Sequence, residues 1–469
     1  MSYYGIVTTL KDVRKHPNAD RLQLADVFGN TICVSLDYTE GQLGVYFPTG
    51  GQLSVKFAEA NNLLRKKDAE GNNIGGYMDP DKRNITAIKL RGEKSDGLFL
   101  PLTCLDSFGD ISSLRVGDRI DVFNGEEICT KYIPKTNARR GHVSEGNRTR
   151  KHRVPIAPTF VEHADTEQLA YNLGAFKTGD EIEITLKMHG TSQRTGHLKI
   201  LTGYKKTFWD KLFKREGTPI YDWGYVSGTR RVVLDTFDGG FYGSNEFRKQ
   251  HHDAFVGKLW KGETVYYEVV GYTHTGAPIM GNGNNEKLGK DFVKQYGKET
   301  VFSYGCTPEE TVQKMLYGED DNGHFAIPVE QSNMKRSDIY VYRMTMTNED
   351  GEVVEYTPDF MRYRCEQMGI KTVHVFTRAI IPKWPSTTND CDPIDPGEYV
   401  KALAEQYYAG PDPVGKTHTR EGVVVRILNR PKFCAYKHKN FEFKVLENIL
   451  QSNIETSTAE LTEDILAEM

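Results

Sequence analysis

EITLKMHGTSQRTGH, residues 183–197, decides the reading of this 469-residue chain. Ile184 and Leu186 alternate with polar neighbours as on a strand, and Lys187 leaves the end of that strand. Gly190 stands three residues further on, followed by Thr191 and Ser192. A lysine forms covalent intermediates when its amine is neutral, and a nearby glycine lets the backbone approach a ligand closely. Taken alone, a lysine so spaced from a glycine is a weak signal. Five later stretches add weight to it: GYVSGTRRVVL (224–234), YYEVVGY (266–272), IYVYRMT (339–345), HTREGVVVRI (418–427) and FCAYKHKNFEF (433–443). Each combines a strand-like apolar run with charged or aromatic residues. Lys437 and Lys439 are two apart, so on a strand both face the same way. Two ammonium groups there can hold a phosphate and neutralise charge in a transition state.

In this order, the series resembles the covalent nucleotidyltransferase superfamily of polynucleotide ligases and RNA capping enzymes. The KMHG form, with YKHKN near the far end, looks like the RNA ligase branch. The resemblance implies that Lys187 is the nucleophile that takes AMP from ATP. It also implies a site residue by residue. Arg230 would grip phosphate, with the adjacent Arg231 open as an alternative. Glu268 would bind ribose or a metal, and Tyr342 would stack on adenine. Glu421 would serve the metal, Mg²⁺ or Mn²⁺, and the adenylylation step. Val424 would cover the other adenine face, with Val423 open. Lys437 and Lys439 would hold the α-phosphate. His189 fills the variable position of the lysine motif, as either a site residue or a packed histidine. Arg343 departs from the pattern, since relatives have an acidic residue after the stacking tyrosine.

Residues 1–125 read as a β-rich unit of short strands such as GIVTTL, LQLADVF, TICVSLD and LGVYFP, separated by Gly, Asn and Asp turns. RGEKSD reads as a hairpin-like connection, and QLSVKFAEANNLLRK has helical spacing. HPNADRLQLADV (16–27) and IKLRGEKSDGLFL (88–100) resemble the oligonucleotide-binding (OB) barrel found as a tRNA-binding domain in some aminoacyl-tRNA synthetases. Those residues either touch RNA or shape the barrel. Pro17 and Asn18 suit a turn, and Gly92 and Gly97 suit tight backbone at a corner. A barrel ahead of the catalytic domain is similar to the RNA ligase clade typified by the Deinococcus enzyme.

The expected fold class is therefore α+β: an N-terminal OB-like β-barrel, then an antiparallel-sheet nucleotidyltransferase domain of the ATP-grasp-like ligase kind. The expected limits are 1–125 for the barrel, 126–155 for a basic linker, 156–450 for the catalytic domain and 451–469 for an acidic tail. Three helices are signalled by caps: 165–174 with Asp165, 307–318 with Thr307 and Pro308, and 395–410 with Asp395, Pro396 and Gly410. GNGNNE (281–286) is not a dinucleotide fingerprint, because Glu286 replaces the third glycine and no βαβ pattern surrounds it.

Charge is segregated although the net is only −4. Residues 131–153 hold eight Lys/Arg against one Glu, and 199–215 hold six against one Asp, with Tyr204, Phe208, Trp209 and Phe213 interleaved. Such stretches can neutralise phosphates and stack bases, or can be a solvated linker and a surface helix. Apolar residues at 38% suffice for buried cores. No apolar run is long enough for a membrane span, and the first twenty residues lack a secretory core. Seven scattered cysteines without a CxxC pair fit a reducing compartment. The expectation is a cytoplasmic, monomeric, ATP-dependent RNA ligase acting on RNA with 5′-phosphate and 3′-hydroxyl ends or on nicked duplex. The rivals are a GTP-dependent RNA capping enzyme and a catalytically inactive RNA- or tRNA-binding protein.

Overall fold

A computed structural model describes residues 3–67, 69–71, 73–133, 154–163, 166–213, 215, 217–234, 236–238, 245–274, 276–306, 336–383 and 395–452. The fold is α+β with mainly antiparallel sheets, as expected. The predicted 307–318 helix, most of the basic stretch 131–153 and all but the first two residues of the acidic tail lie outside the described residues. No helix among the described residues is long and apolar enough to cross a membrane. The chain falls into two compact units, Met1–Lys135 with Phe441–Ser452, and Thr136–Asn440.

In the first unit, strands Leu98–Pro101, Leu43–Phe47, Gly5–Thr9 and Arg119–Ile120 form one antiparallel sheet. Lys11–Lys15, Gln23–Val27 and Asn30–Val34 form a second. The anticipated strands are present, but they do not close into a barrel among the described residues. The ladder breaks at two corners. Leu10 separates Gly5–Thr9 from Lys11–Lys15; its N–H still bonds the Gln42 carbonyl at 3.1 Å, and beyond it the chain pairs with Gln23–Val27 instead. At the other corner Gly97 takes a φ of 111°, where a Cβ would stand 2.5 Å from the Tyr46 ring.

The RGEKSD segment is a hairpin turn plus a returning strand: Ala87–Leu90 pairs with Glu93–Asp96 around Arg91 and Gly92. The HPN stretch clasps that turn. His16 Nε2 lies 3.2 Å from the Leu90 carbonyl, and Asn18 Nδ2 donates to the Arg91 carbonyl at 3.0 Å. Val7, Val45, Phe47, Phe57, Leu100 and Ile128 fill the core. The predicted helix shrinks to Val55–Ala60, because Ser54 caps it and Asn62 turns left-handed.

Two expected limits shift. Cys129–Lys131 pairs with Gly51–Leu53, and Ile128 and Cys129 are core residues, so the chain from 126 to 131 is sheet, not linker. Residues 441–450, expected in the second domain and with 441–443 closing a strand-like run, instead form helix Phe441–Ser452 of the first unit. There Lys444 Nζ meets Asp96 Oδ2 at 2.6 Å, Lys94 Nζ meets Glu442 Oε1 at 3.0 Å, and Phe443 and Leu446 are fully buried.

Among the described residues the second unit holds two large sheets, besides a short pairing of Gly283–Asn284 with Glu299–Thr300. One runs in the order Glu167–Gln168, Ala435–Lys439, Gly422–Ile427, Glu181–Leu186, Val375–Ile380, with only the first pair parallel. The other runs Val233–Leu234, Thr218–Gly228, Thr191–Lys205, Glu263–Gly271, Ser337–Thr347, Val353–Glu355. Ile182, Ile184, Val423, Val425 and Ile427 alternate onto one face of the first sheet and pack with Val400 and Ala404 of helix Pro396–Glu405. Asp395 caps that helix as expected, accepting from the Gly397 and Glu398 N–H groups, but it stops short of Gly410. The expected cap Asp165 lies outside the described residues, and 166–174 form no α-helix. The chain there forms two single 3₁₀ turns, Leu169–Tyr171 and Leu173–Ala175, on either side of Asn172, whose side chain bonds the Gln168 carbonyl.

Candidate functional site

Lys187 continues directly from Glu181–Leu186, and its N–H donates to the Gly422 carbonyl at 3.0 Å. This brings it beside Glu421, whose carboxylate is 2% exposed. Glu421 Oε1 lies 2.8 Å from Lys187 Nζ and 3.1 Å from Lys439 Nζ, while Oε2 lies 3.4 Å from His189 Nδ1. Burial alone would raise the Glu421 carboxyl. Lys187, Lys439 and His189 outweigh it and hold the group well below its ordinary range. Gly422 allows this join of strands, since a Cβ there would stand 2.1 Å from the His438 carbonyl oxygen.

The turn after Lys187 is held from both sides. His189 N–H donates to Tyr304 Oη at 2.9 Å, and its ring meets Phe302 edge-on at 4.6 Å. Gly190 lies against the Glu263–Gly271 strand, where a Cβ would be 2.4 Å from the Val269 carbonyl oxygen and 2.9 Å from Glu268 Cγ. Glycine is therefore required for the lysine loop to reach Glu268. Buried Arg248 fixes the first residues of the next strand, donating to the Ser192 carbonyl at 3.0 Å and Thr191 Oγ1 at 2.8 Å.

Glu268 sits opposite Ser192 on one side and Tyr340 on the other. Ser192 Oγ and Tyr342 Oη are 2.9 Å apart. Tyr342 is the extra residue of a β-bulge: Tyr266 pairs with Arg343 and Tyr267 with Val341, leaving Tyr342 between them. The bulge lets neighbours Tyr342 and Arg343 both turn toward His163, at 5.0 Å between rings and 3.4 Å to Nδ1. Arg343 is bound in a double contact with Glu355 and lies over the Tyr266 and Phe433 rings. Its departure from the expected acidic residue thus has a structural partner.

Alternation separates the two valines. Val423 is fully buried in the core, whereas Val424 lies on the opposite face, paired with Lys437. Lys439, two residues on, shares that face and reaches Glu421. Of the two arginines left open, Arg230 lies beside His163, whose backbone N–H donates to the Arg230 carbonyl at 3.4 Å, and its charge bears on that ring. The Arg230 and Arg231 carbonyls both accept from Arg194, at 2.7 and 3.3 Å. The geometry thus joins Lys187, His189, Glu421 and Lys439 in one cluster, and Ser192, Tyr342, His163 and Arg230 in another. Glu268 lies between Gly190 and Ser192, and Val424 pairs with Lys437.

Sequence reading did not find Tyr304, Phe302, Arg248 or His163. None lies in a strand of the motif series, and no periodicity marks them. Among the described residues no three His, Cys, Asp or Glu side chains group as a metal site. Glu421 and Glu268 are the carboxylates at hand.

No protein-family model and no curated protein matches the chain. Solved structures do. A lysine-to-alanine variant of Naegleria gruberi RNA ligase with ATP and Mn aligns with a TM-score of 0.52 at 14% identity, over 94% of this chain and 98% of that one. A second such variant, also with ATP and Mn, gives 0.51 at 16% identity over 96% and 99%. The fold is an RNA ligase fold. A lysine-to-methionine variant of the same ligase with AMP and Mn gives 0.50 at 15% identity, over 94% and 97%. At such identity the likeness lies in the course of the backbone across nearly the whole chain. In this RNA ligase fold, the ends of adjacent strands bring Lys187, Glu421 and Lys439 together.

Proposed function

We propose that the protein is an ATP-dependent RNA ligase that works through a covalent lysyl-AMP intermediate. The observation that carries this reading is the Lys187–Glu421–Lys439 cluster at a strand end of an RNA ligase fold. Lys187 Nζ, once neutral, attacks the α-phosphorus of ATP. A phosphorus–nitrogen bond forms, the bond to the bridging oxygen breaks, and pyrophosphate leaves. AMP then passes to a 5′-phosphate, which frees Lys187. A 3′-hydroxyl attacks that phosphate, the strand is sealed and AMP departs.

In this reading Lys437 and Lys439 hold the α-phosphate, and Arg230 grips a phosphate from the other sheet. Tyr342 and Val424 enclose adenine from opposite sides. Glu268 takes a ribose hydroxyl or a metal. The carboxylates suit a hard divalent ion: Mg²⁺ and Mn²⁺ accept one or two carboxylates and fill their shells with water and phosphate oxygens. Glu421 and Glu268 would hold it, and when bound it neutralises charge on the phosphates. The first unit, read as an OB-like module preceding the catalytic unit as in the Deinococcus-type clade, would dock the nucleic acid. The protein would act as a monomer on RNA with 5′-phosphate and 3′-hydroxyl ends.

The test is incubation with ATP or GTP labelled at the α-phosphate, followed by denaturing electrophoresis and mapping of the label. Label from ATP on Lys187 supports the reading. Label from GTP alone would make the protein a capping enzyme, and no label from either would leave a nucleic-acid-binding protein.

A further inference from the structure

Strand Thr191–Lys205 starts at the site, where Ser192 meets Tyr342, and runs outward to a tip. At about 3.3 Å per residue, the tip stands about 40 Å along the strand from Ser192. Between this strand and its partner Thr218–Gly228 lies the short helix Phe208–Leu212. Thr207 and Asp210 cap it reciprocally, Thr207 Oγ1 accepting from the Asp210 N–H at 3.2 Å and the Asp210 carboxylate from the Thr207 N–H at 2.9 Å. The acid of this helix, Asp210, is thereby engaged within it.

Phe208, Trp209, Leu212 and Phe213 are 73%, 62%, 59% and 60% exposed. Four large apolar side chains in six residues, all turned to solvent, serve no core and mark a contact surface. The Trp209 and Phe213 rings are nearly parallel, 14° apart in plane, and the Arg215 guanidinium lies 5.5 Å over Phe213. Lys205, Lys206 and Lys211 are exposed around them. Flat ring faces among exposed cations meet the two needs of single-stranded nucleic acid, stacking of bases and neutralisation of phosphates. A helix of under two turns with cations between its aromatics lacks the long apolar face that lies along a bilayer.

We propose that this tip is a docking site for single-stranded RNA, holding the substrate's flank about 40 Å from the joining site. Naming RNA as the ligand rests on the ligase reading, while binding at the tip can be measured apart from it. The full-length protein and its Trp209→Ala/Phe213→Ala variant are titrated into two fluorescent 5′-phosphorylated oligouridylates. One, of about 30 nucleotides, spans more than one single-strand site; the other, of about 5, cannot reach both ends of the hairpin. The variant should bind the long probe about 10- to 100-fold more weakly and the short probe within about twofold of wild type. A Lys206→Glu/Lys211→Glu variant should flatten the salt dependence of long-probe binding. Unchanged thermal melting, expected for such exposed side chains, keeps misfolding out of the comparison.

Wild-type affinity of both variants for the long probe would overturn the proposal. So would wild-type sedimentation with phosphatidylserine–phosphatidylcholine vesicles that the aromatic variant loses while RNA binding stands, which would make the tip a membrane contact. Labelling of the wild-type protein by ATP separates the two ideas. No lysyl-AMP with tip-dependent RNA binding would sink the ligase reading alone, and labelling with tip-independent binding would sink this one alone.

Discussion

Lys187 and Lys439 hold the same oxygen of Glu421, at 2.8 and 3.1 Å. One buried carboxylate therefore positions two ammonium groups at the strand ends. With Lys187 as nucleophile, Lys187→Ala abolishes label from ATP and leaves the Lys439–Glu421 pair to keep the fold. Undiminished labelling of that variant would remove Lys187 from the mechanism.

Lys437→Ala and Lys439→Ala should each slow lysyl-AMP formation by at least about tenfold, the cost of one preorganised charge contact at a transition state. Arginine should rescue poorly, because its planar fork is not a point charge. Single-turnover rates check this, and near-normal rates in both would make the strand face merely solvated.

Glu421→Gln leaves the two ammonium groups facing each other without their anion. The expected loss is at least about 1 kcal/mol of stability, since both lysines keep some contact with water. The carboxyl is held below its ordinary range, so its stabilisation is complete above about pH 4.3 and drains away as pH falls below that. Urea midpoints should show the difference between wild type and variant narrowing on acidification. A gap of constant size from neutral pH to pH 3 would contradict the ion-pair account.

Gly190→Ala drives a methyl group against the Val269 carbonyl and Glu268. The loop must then retreat, at a cost of about 1–3 kcal/mol, and Lys187 should lose most of its labelling. Normal labelling with an unchanged melting temperature would show that the loop has room.

His163 is held well below the usual histidine range, first by burial and then by Arg230, Arg343, Arg194 and Arg426. The unfolded chain takes up a proton near pH 6.5 that the folded one refuses. Stability from neutral His163 is thus full above about pH 6.5 and declines as pH drops below it. His163→Gln should flatten that decline between about pH 6.5 and 5, and parallel curves for the two proteins would refute the assignment.

Much of the site is legible because strands advertise themselves. Ile182, Ile184 and Leu186 alternate up to Lys187, and the Val423/Val424 choice reduces to which face the core occupies. The Asp395 cap is local chemistry, and the sequence displays it. The features that escape depend on contacts between distant segments. Tyr304 supports His189 from an irregular stretch with no period of its own. The bulge at Tyr342 breaks the two-residue alternation that makes strands readable, so Arg343 looks misplaced until Glu355 comes beside it. The corner at Gly97 is legible, because a glycine there suits tight backbone, but the open pairing of the first unit is not, since Leu10 looks like an ordinary strand residue in sequence.

Helix Phe441–Ser452 completes the unit that Met1–Lys135 begins, with Phe443 and Leu446 wholly enclosed. Ribosomes make the chain from the other end. At roughly 5–20 residues per second, the ~300 residues between Lys135 and Phe441 take tens of seconds to emerge. During that interval the surface that receives the helix stays bare on the nascent chain, open to chaperones or to its own copies on a polysome. The same order governs trimming. A protein shortened at its start would bare the apolar side of this helix, whereas one that also ends at Asn440 would not. The portion synthesised first is the portion finished last.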